Sequence, residues 1–185
     1  MKKLATLFQD SYNELKSVKT ITAMAMFAAI GIILGSLTIQ IGDFIKIGFS
    51  SIANQFVYYL FGPAVGGFYG GALDILKYLV KPTGVFFPGW TLSAMIAGVI
   101  YGCFFYKKKL SIGRVLAAEL VVSVVCNIFL GTLWLTIMYE KGFVALLSIR
   151  ILKNLAMWPV NSFLFYTMTW TMEQSGVFRL IRRSV

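Results

Sequence analysis

Residues 20–41 read TITAMAMFAAIGIILGSLTIQI and carry no charged side chain. About 20 mostly apolar residues let a helix cross the hydrocarbon core of a bilayer, so this stretch predicts a membrane-spanning helix. Five further apolar segments follow, at about 47–61, 64–80, 90–106, 112–139 and 143–172. Charge or turn-forming residues separate them: Asp43 and Lys46, Gly62-Pro63, Lys81-Pro82-Thr83-Gly84, Lys107-Lys108-Lys109, and Glu140-Lys141-Gly142. The expected fold is an all-α integral membrane bundle of six transmembrane helices spanning 20–172. An amphipathic segment, 1–19, precedes it, with Leu4, Phe8, Leu15 and Val18 at helical spacing between lysines. A basic tail, 173–185, follows.

Composition agrees. The chain of 185 residues is 58% apolar and 13% charged, where soluble domains run at roughly 45–50% and 25%. Mean hydropathy is +0.79. Those values exclude a soluble enzyme, a nucleic-acid-binding module and a disordered chain. There is no histidine, which removes His-based triads, HExxH zinc sites and histidine proton relays. Cys103 and Cys126 lie within apolar runs, so neither a disulfide framework nor a thiolate metal site is expected. No GxxxxGK[ST] loop is present. No apolar stretch follows Met1-Lys2-Lys3 at once, so a cleavable signal peptide is not expected. The residues call for no cofactor.

The net charge of +10 is unevenly placed. Lys2, Lys3, Lys16 and Lys19 precede the first span. Lys107, Lys108, Lys109 and Arg114 lie between the fourth and fifth, and Arg179, Arg182 and Arg183 follow the sixth. In a six-span chain these eleven of seventeen basic residues fall on one side, which the positive-inside rule makes cytoplasmic, both termini included. Small residues recur four apart: Ala25/Ala29 and Gly31/Gly35 in the first span, Gly66/Gly70 and Gly67/Gly71 in the third, Gly98/Gly102 in the fourth. Such pairs let helix backbones approach closely. Packing within the bundle accounts for most of them, while the first span's small face also suits a partner subunit.

Polar groups at membrane depth are costly and mark function. Asp74, Lys77, Tyr78 and Lys81 share one face of the third span. Asn127, Gly131 and Trp134 share one of the fifth, beside Thr132, and Arg150, Lys153 and Asn154 share one of the sixth. With the topology above, all lie in the outer half, together with Lys46 and the loop Phe86-Phe87-Pro88-Gly89-Trp90. A channel needs polar groups along its whole depth, so the pattern reads as a pocket open outward and closed beneath. The aromatic loop would act as a lid, and Trp134 and Trp158 would stack on a flat ligand. Six cations and three carboxylates in this half leave a surplus of three positive charges, which favours an anion. Other readings stand beside these: an Asp74–Lys77 ion pair, Arg150 and Lys153 snorkelling to the interface, and the tryptophans as belt residues.

Several segments together resemble a known family: Ile45-Lys46-Ile47-Gly48-Phe49-Ser50, Leu60-Phe61-Gly62-Pro63, Gly71-Ala72-Leu73-Asp74-Ile75-Leu76, FFPGWTLSA at 86–94, Gly98-Val99-Ile100-Tyr101-Gly102, Thr132-Leu133-Trp134-Leu135 and Arg150-Ile151-Leu152-Lys153-Asn154. They are similar to segments of the substrate-binding S components of energy-coupling factor (ECF) vitamin transporters, the folate family above all. One departure is Gly131 before Thr132, where the family pattern has an asparagine, which puts one pocket hydrogen bond in question.

The resemblance implies a subunit that captures folate or a related vitamin outside a bacterial plasma membrane. A transmembrane coupling protein and two cytoplasmic ATPase subunits would then drive uptake, as the S component topples to present its pocket inward. It implies docking on the coupling protein through Ala25, Ala28 and Ala29. For a flat pterin it implies stacking by Phe87, Trp90 and Trp134 and pairing by Asp74, Asn127 or Asn154. For the glutamate carboxylates it implies Arg150, Lys153 or Lys46. An S component for pantothenate or a pyrimidine precursor remains open, thiamine being disfavoured by its own positive charge. A small membrane enzyme or a solitary channel is a more distant reading.

Overall fold

The structure, a computed structural model, describes residues 2–36, 38–41, 45–48, 50–82, 85–139 and 143–176. Helices α1 (Lys2–Glu14) and α2 (Val18–Ser36) lead into a hairpin of β1 (Thr38–Ile41) and β2 (Ile45–Gly48). Then come α3 (Ser50–Val80), α4 (Pro88–Phe105) and α5 (Ile112–Val122). A π-helical segment, Ser123–Leu130, joins α5 to α6 (Gly131–Tyr139), and α7 (Phe143–Gln174) closes the bundle. Among the described residues three stretches are long and apolar enough to cross a membrane: Val18–Gly35, Pro88–Phe105 and Ile112–Met138.

The helical class holds, with one local correction. The helix of the first span, α2, ends at Ser36 rather than running to residue 41, and an antiparallel hairpin pairs Ile39 with Ile47 and Ile41 with Ile45. β-Branched residues crowd these strands at Thr38, Ile39, Ile41, Ile45 and Ile47, and they fit a pleated backbone better than a helix.

The expected second and third spans are the two arms of α3, folded back at Gly62 (φ 87°, ψ −168°) and Pro63. Lys77 Nζ lies 2.6 Å from Ser50 Oγ, whereas an unbroken helix would hold residues 27 apart at a distance of about 40 Å. Gly62 meets two demands at once. Its φ is left-handed, and a Cβ there would sit 2.8 Å from the Tyr106 ring and 2.9 Å from Ser11 Oγ.

The break leaves backbone groups without helical partners, and α1 supplies one. Ser11 Oγ donates to the Phe61 carbonyl at 2.6 Å and accepts from the Val65 N–H at 3.1 Å. Ser11→Ala is expected to lower the unfolding free energy by about 1–3 kcal/mol, because two buried backbone groups lose their partner. Denaturant titration of the detergent-solubilised protein would measure it.

The second arm of α3 packs on α4 backbone to backbone. A Cβ on Gly66 would lie 2.5 Å from the Gly98 carbonyl oxygen, one on Gly70 2.5 Å from that of Ala94, and one on Gly102 2.5 Å from Pro63 N. The Gly66/Gly70 and Gly98/Gly102 pairs therefore form an internal seam. Gly31 and Gly35 face Asn54 and Ser50 of the first arm, while Ala25 and Ala29 are exposed. Phe105 and Phe165 stack at 5.1 Å in the core. Beside them Glu119, only 6% exposed, accepts from Gln55 Nε2 (2.7 Å) and Tyr101 Oη (2.9 Å).

Candidate functional site

The second arm of α3 brings Asp74, Lys77 and Tyr78 to one face by helical spacing, and Lys81, just past its end, follows them with its N–H bonded to the Lys77 carbonyl. Phe87 then takes an extended conformation (φ −130°, ψ 117°), and Pro88 starts α4. Proline suits the first helical position because no partner exists there for an N–H. This turn places Val85, Phe86, Phe87 and Trp90 opposite the α3 face, and α6 adds Leu135 and Met138. Together they enclose a cavity of about 440 Å³, a size suited to a small organic ligand.

Hydrogen bonds and ring contacts hold its walls. Thr91 Oγ1 donates to Asp74 Oδ2 at 2.8 Å. The half-buried Lys77 donates to Ser50 Oγ, and Lys81 is exposed at the rim. Tyr78 and Phe86 have ring centroids 5.1 Å apart, Phe87 and Trp134 5.6 Å apart. Trp134 Nε1 donates to Ser93 Oγ at 2.8 Å. Gly89 fits between these rings, since a Cβ there would overlap Phe87 and come within 2.6 Å of Trp134. The cavity thus offers one carboxylate, two lysine ammoniums and a set of aromatic faces. It suits a flat, partly anionic molecule with a donor edge.

Of the residues singled out from sequence, Asp74, Lys77, Phe86, Phe87 and Trp90 line this cavity. Trp134 backs it through Phe87, and Pro88 is an exposed helix start. The other singled-out residues with described side chains do not line it. Asn127 is exposed, and its backbone carbonyl accepts from Arg150 Nη1 at 2.6 Å. Thr132 is fully buried with its hydroxyl bonded to the Ile128 carbonyl. Asn154 Nδ2 bonds the Arg150 carbonyl of its own helix at 2.9 Å, and Lys153 is exposed. The Arg150 guanidinium lies 5.8 Å from the Trp90 ring centroid. Trp158 bonds the Leu116 carbonyl at 2.9 Å, a link from α7 to α5. Lys46 stands opposite Gln40 in the hairpin, and its side chain lies outside what is described, as do Asp43, Glu140 and Lys141.

Among the described residues, Tyr78, Lys81, Val85, Leu135 and Met138 also line the wall. Tyr78 and Lys81 were legible as members of the Asp74–Lys77 face. Leu135 and Met138 are apolar residues three apart in an apolar helix and carry no signal of their own.

A helical membrane bundle with a polar, aromatic-lined cavity defines a small-molecule-binding membrane protein. The sequence profile of the ECF transporter substrate-specific component matches residues 19–169, and the chain belongs to that family. It is 37% identical over 153 residues to a folate transporter, FolT, of Clostridium novyi, covering 82% of this chain and 88% of that one. It is 30% identical over 144 residues to FolT of Leuconostoc mesenteroides, covering 75% and 77%. Among solved structures, a crystal structure of FolT bound with folic acid superposes with a TM-score of 0.73 at 32% identity, covering 82% of this chain and 93% of that one.

Proposed function

We propose that this chain is the folate-binding subunit of an ECF vitamin uptake transporter. The observation that carries the reading is the cavity wall itself, in which Asp74, Lys77 and Lys81 stand among Tyr78, Phe86, Phe87 and Trp90. Folate is a flat pterin joined to benzoyl-glutamate. The rings take the stacking, Asp74 takes the pterin's donor edge, and Lys77 and Lys81 offset the carboxylates. The FolT relatives and the folic-acid-bound neighbour support this ligand over other vitamins.

Calorimetric titration of the purified chain with folic acid tests it, with pantothenate, a pyrimidine precursor and thiamine as competitors. Tight one-to-one binding of folic acid alone is expected, and preference for any competitor overturns the assignment. Lys81→Ala is expected to weaken folic acid about tenfold. It should barely change pteroic acid, which lacks the glutamate.

The distribution of basic residues supports a topology with both termini in the cytoplasm and the cavity outside. The amphipathic segment 1–19 then lies at the inner leaflet and the tail 173–185 in the cytoplasm. The chain binds rather than catalyses, and relies on a coupling protein and two ATPase subunits to topple it and release the vitamin inward. Ala25 and Ala28 line a small apolar groove with Phe68 and Ala72, and with Ala29 they form the docking face for the coupling protein. Joint replacement of Ala25 and Ala29 by Trp is expected to abolish co-purification of the ATPase complex while folic acid binding persists.

A further inference from the structure

Arg150, Gly131 and the π-helical segment meet at one point behind the cavity. In a regular α-helix the N–H of residue 131 would bond the carbonyl of residue 127. Here the Gly131 N–H bonds the carbonyls of Cys126 and Ile128. Arg150 Nη1 donates to the Asn127 carbonyl instead, at 2.6 Å. The guanidinium reaches it across the bare face of Gly131, where a Cβ would overlap Nη1 and lie 3.2 Å from Cζ. Its Cζ is 5.8 Å from the centroid of Trp90, within the range of a cation–π contact. Trp90 lines the cavity, and Arg150 does not.

We propose that Gly131 and Arg150 form a positioning pair for Trp90, with the room above Gly131 seating the guanidinium between the Asn127 carbonyl and the ring. Arg150 thereby acts on the ligand through Trp90 and not as a direct partner of its carboxylates. The proposal rests on the cavity being the vitamin site. The steric conflict at position 131 involves the far end of a flexible side chain, so a methyl group there unseats Arg150 without disrupting backbone packing.

The test uses the full chain in detergent, folic acid titrations, and the near-ultraviolet circular dichroism of the ligand-free protein. Gly131→Ala and Arg150→Ala are each expected to weaken folic acid about tenfold. The double variant should lie within about twofold of Arg150→Ala alone, as coupled sites do. Both single variants should alter the ligand-free aromatic spectrum, and neither should alter it in a Trp90→Ala background. In that background Arg150→Ala should cost no further affinity. A full tenfold loss there would make Arg150 a direct ligand contact and overturn the proposal. So would Gly131→Ala binding within twofold of the parent chain, or an aromatic spectrum unmoved by either substitution. If the parent chain ignores folic acid while the spectra follow the expected pattern, the vitamin assignment fails and the positioning pair stands.

Discussion

Asp74→Ala is expected to weaken folic acid binding by about two orders of magnitude. The Asp74 carboxylate lines the cavity, and Thr91 fixes one of its oxygens at 2.8 Å. The polar edge of a pterin presents adjacent N–H donors, and a carboxylate accepts two of them side by side. Each hydrogen bond to a charged group is worth about 1.5–3 kcal/mol, and leaving the pterin donors without acceptors adds to the loss. Asp74→Asn keeps the shape and an acceptor for Thr91, so its loss should be nearer tenfold. Calorimetry on the three proteins would rank them. An Asp74→Ala chain that binds within threefold of the parent would place the pterin edge elsewhere in the bundle.

Gly98→Leu is expected to abolish the folded bundle. A Cβ at Gly98 would overlap the carbonyl of Gly66, and one at Gly66 would lie 2.5 Å from that of Gly98. Both obstacles are backbone and cannot swing aside, so the two helices must separate. Overpacking costs about 1–3 kcal/mol when side chains can give way, and more where the seam is made of main chain. Because α3 carries Asp74, Lys77 and Tyr78 of the cavity wall and α4 carries Trp90, with Lys81, Val85, Phe86 and Phe87 in the connection between them, their separation also opens the site. Size-exclusion profile and thermal unfolding in detergent would report the outcome. Gly113→Ala, with nothing within 4 Å of its added Cβ, is the matched control and should behave like the parent chain.

The parts legible in the sequence were those written in contrasts. Apolar runs against charged or turn-forming breaks located the crossing segments, and Gly62-Pro63 marked the fold-back of α3. Glycines four apart announced the α3–α4 seam. The spacing of Asp74 and Lys77 placed them on a common face, and the aromatic loop reached the cavity with them. Other features depend on partners distant in the chain. Nothing around Ser11 signals that its hydroxyl will fill the break at Gly62-Pro63, 50 residues away. The hairpin alternates with period two, but over only four residues per strand and beside a long apolar run, so it reads as a continuation of helix. Arg150 shares a helical face with Lys153 and Asn154, yet a long side chain with five donors takes its direction from its surroundings. Its surroundings include Gly131 and the Asn127 carbonyl, and their meeting with Arg150, across two helices, is not written in any local pattern.

The π-helical segment has a consequence for how the chain tolerates changes of length. Glu119, before it, and Trp134, after it, both bond to α4, at Tyr101 and Ser93. A wider turn absorbs an extra residue between these two fixed points and so sets their relative phase. Removing one residue from 123–130 would let the helix regularise with the two anchors still nearly in phase, whereas regularising at the present length would rotate one anchor about 100° away from the other. The local hydrogen bonding would then look more ideal, and the bundle could satisfy only one of its two attachments. Residue number within Ser123–Leu130 and the width of its turns are thus coupled determinants of the ligand site: a single deletion is tolerated here, and insertions belong in the loops on either side.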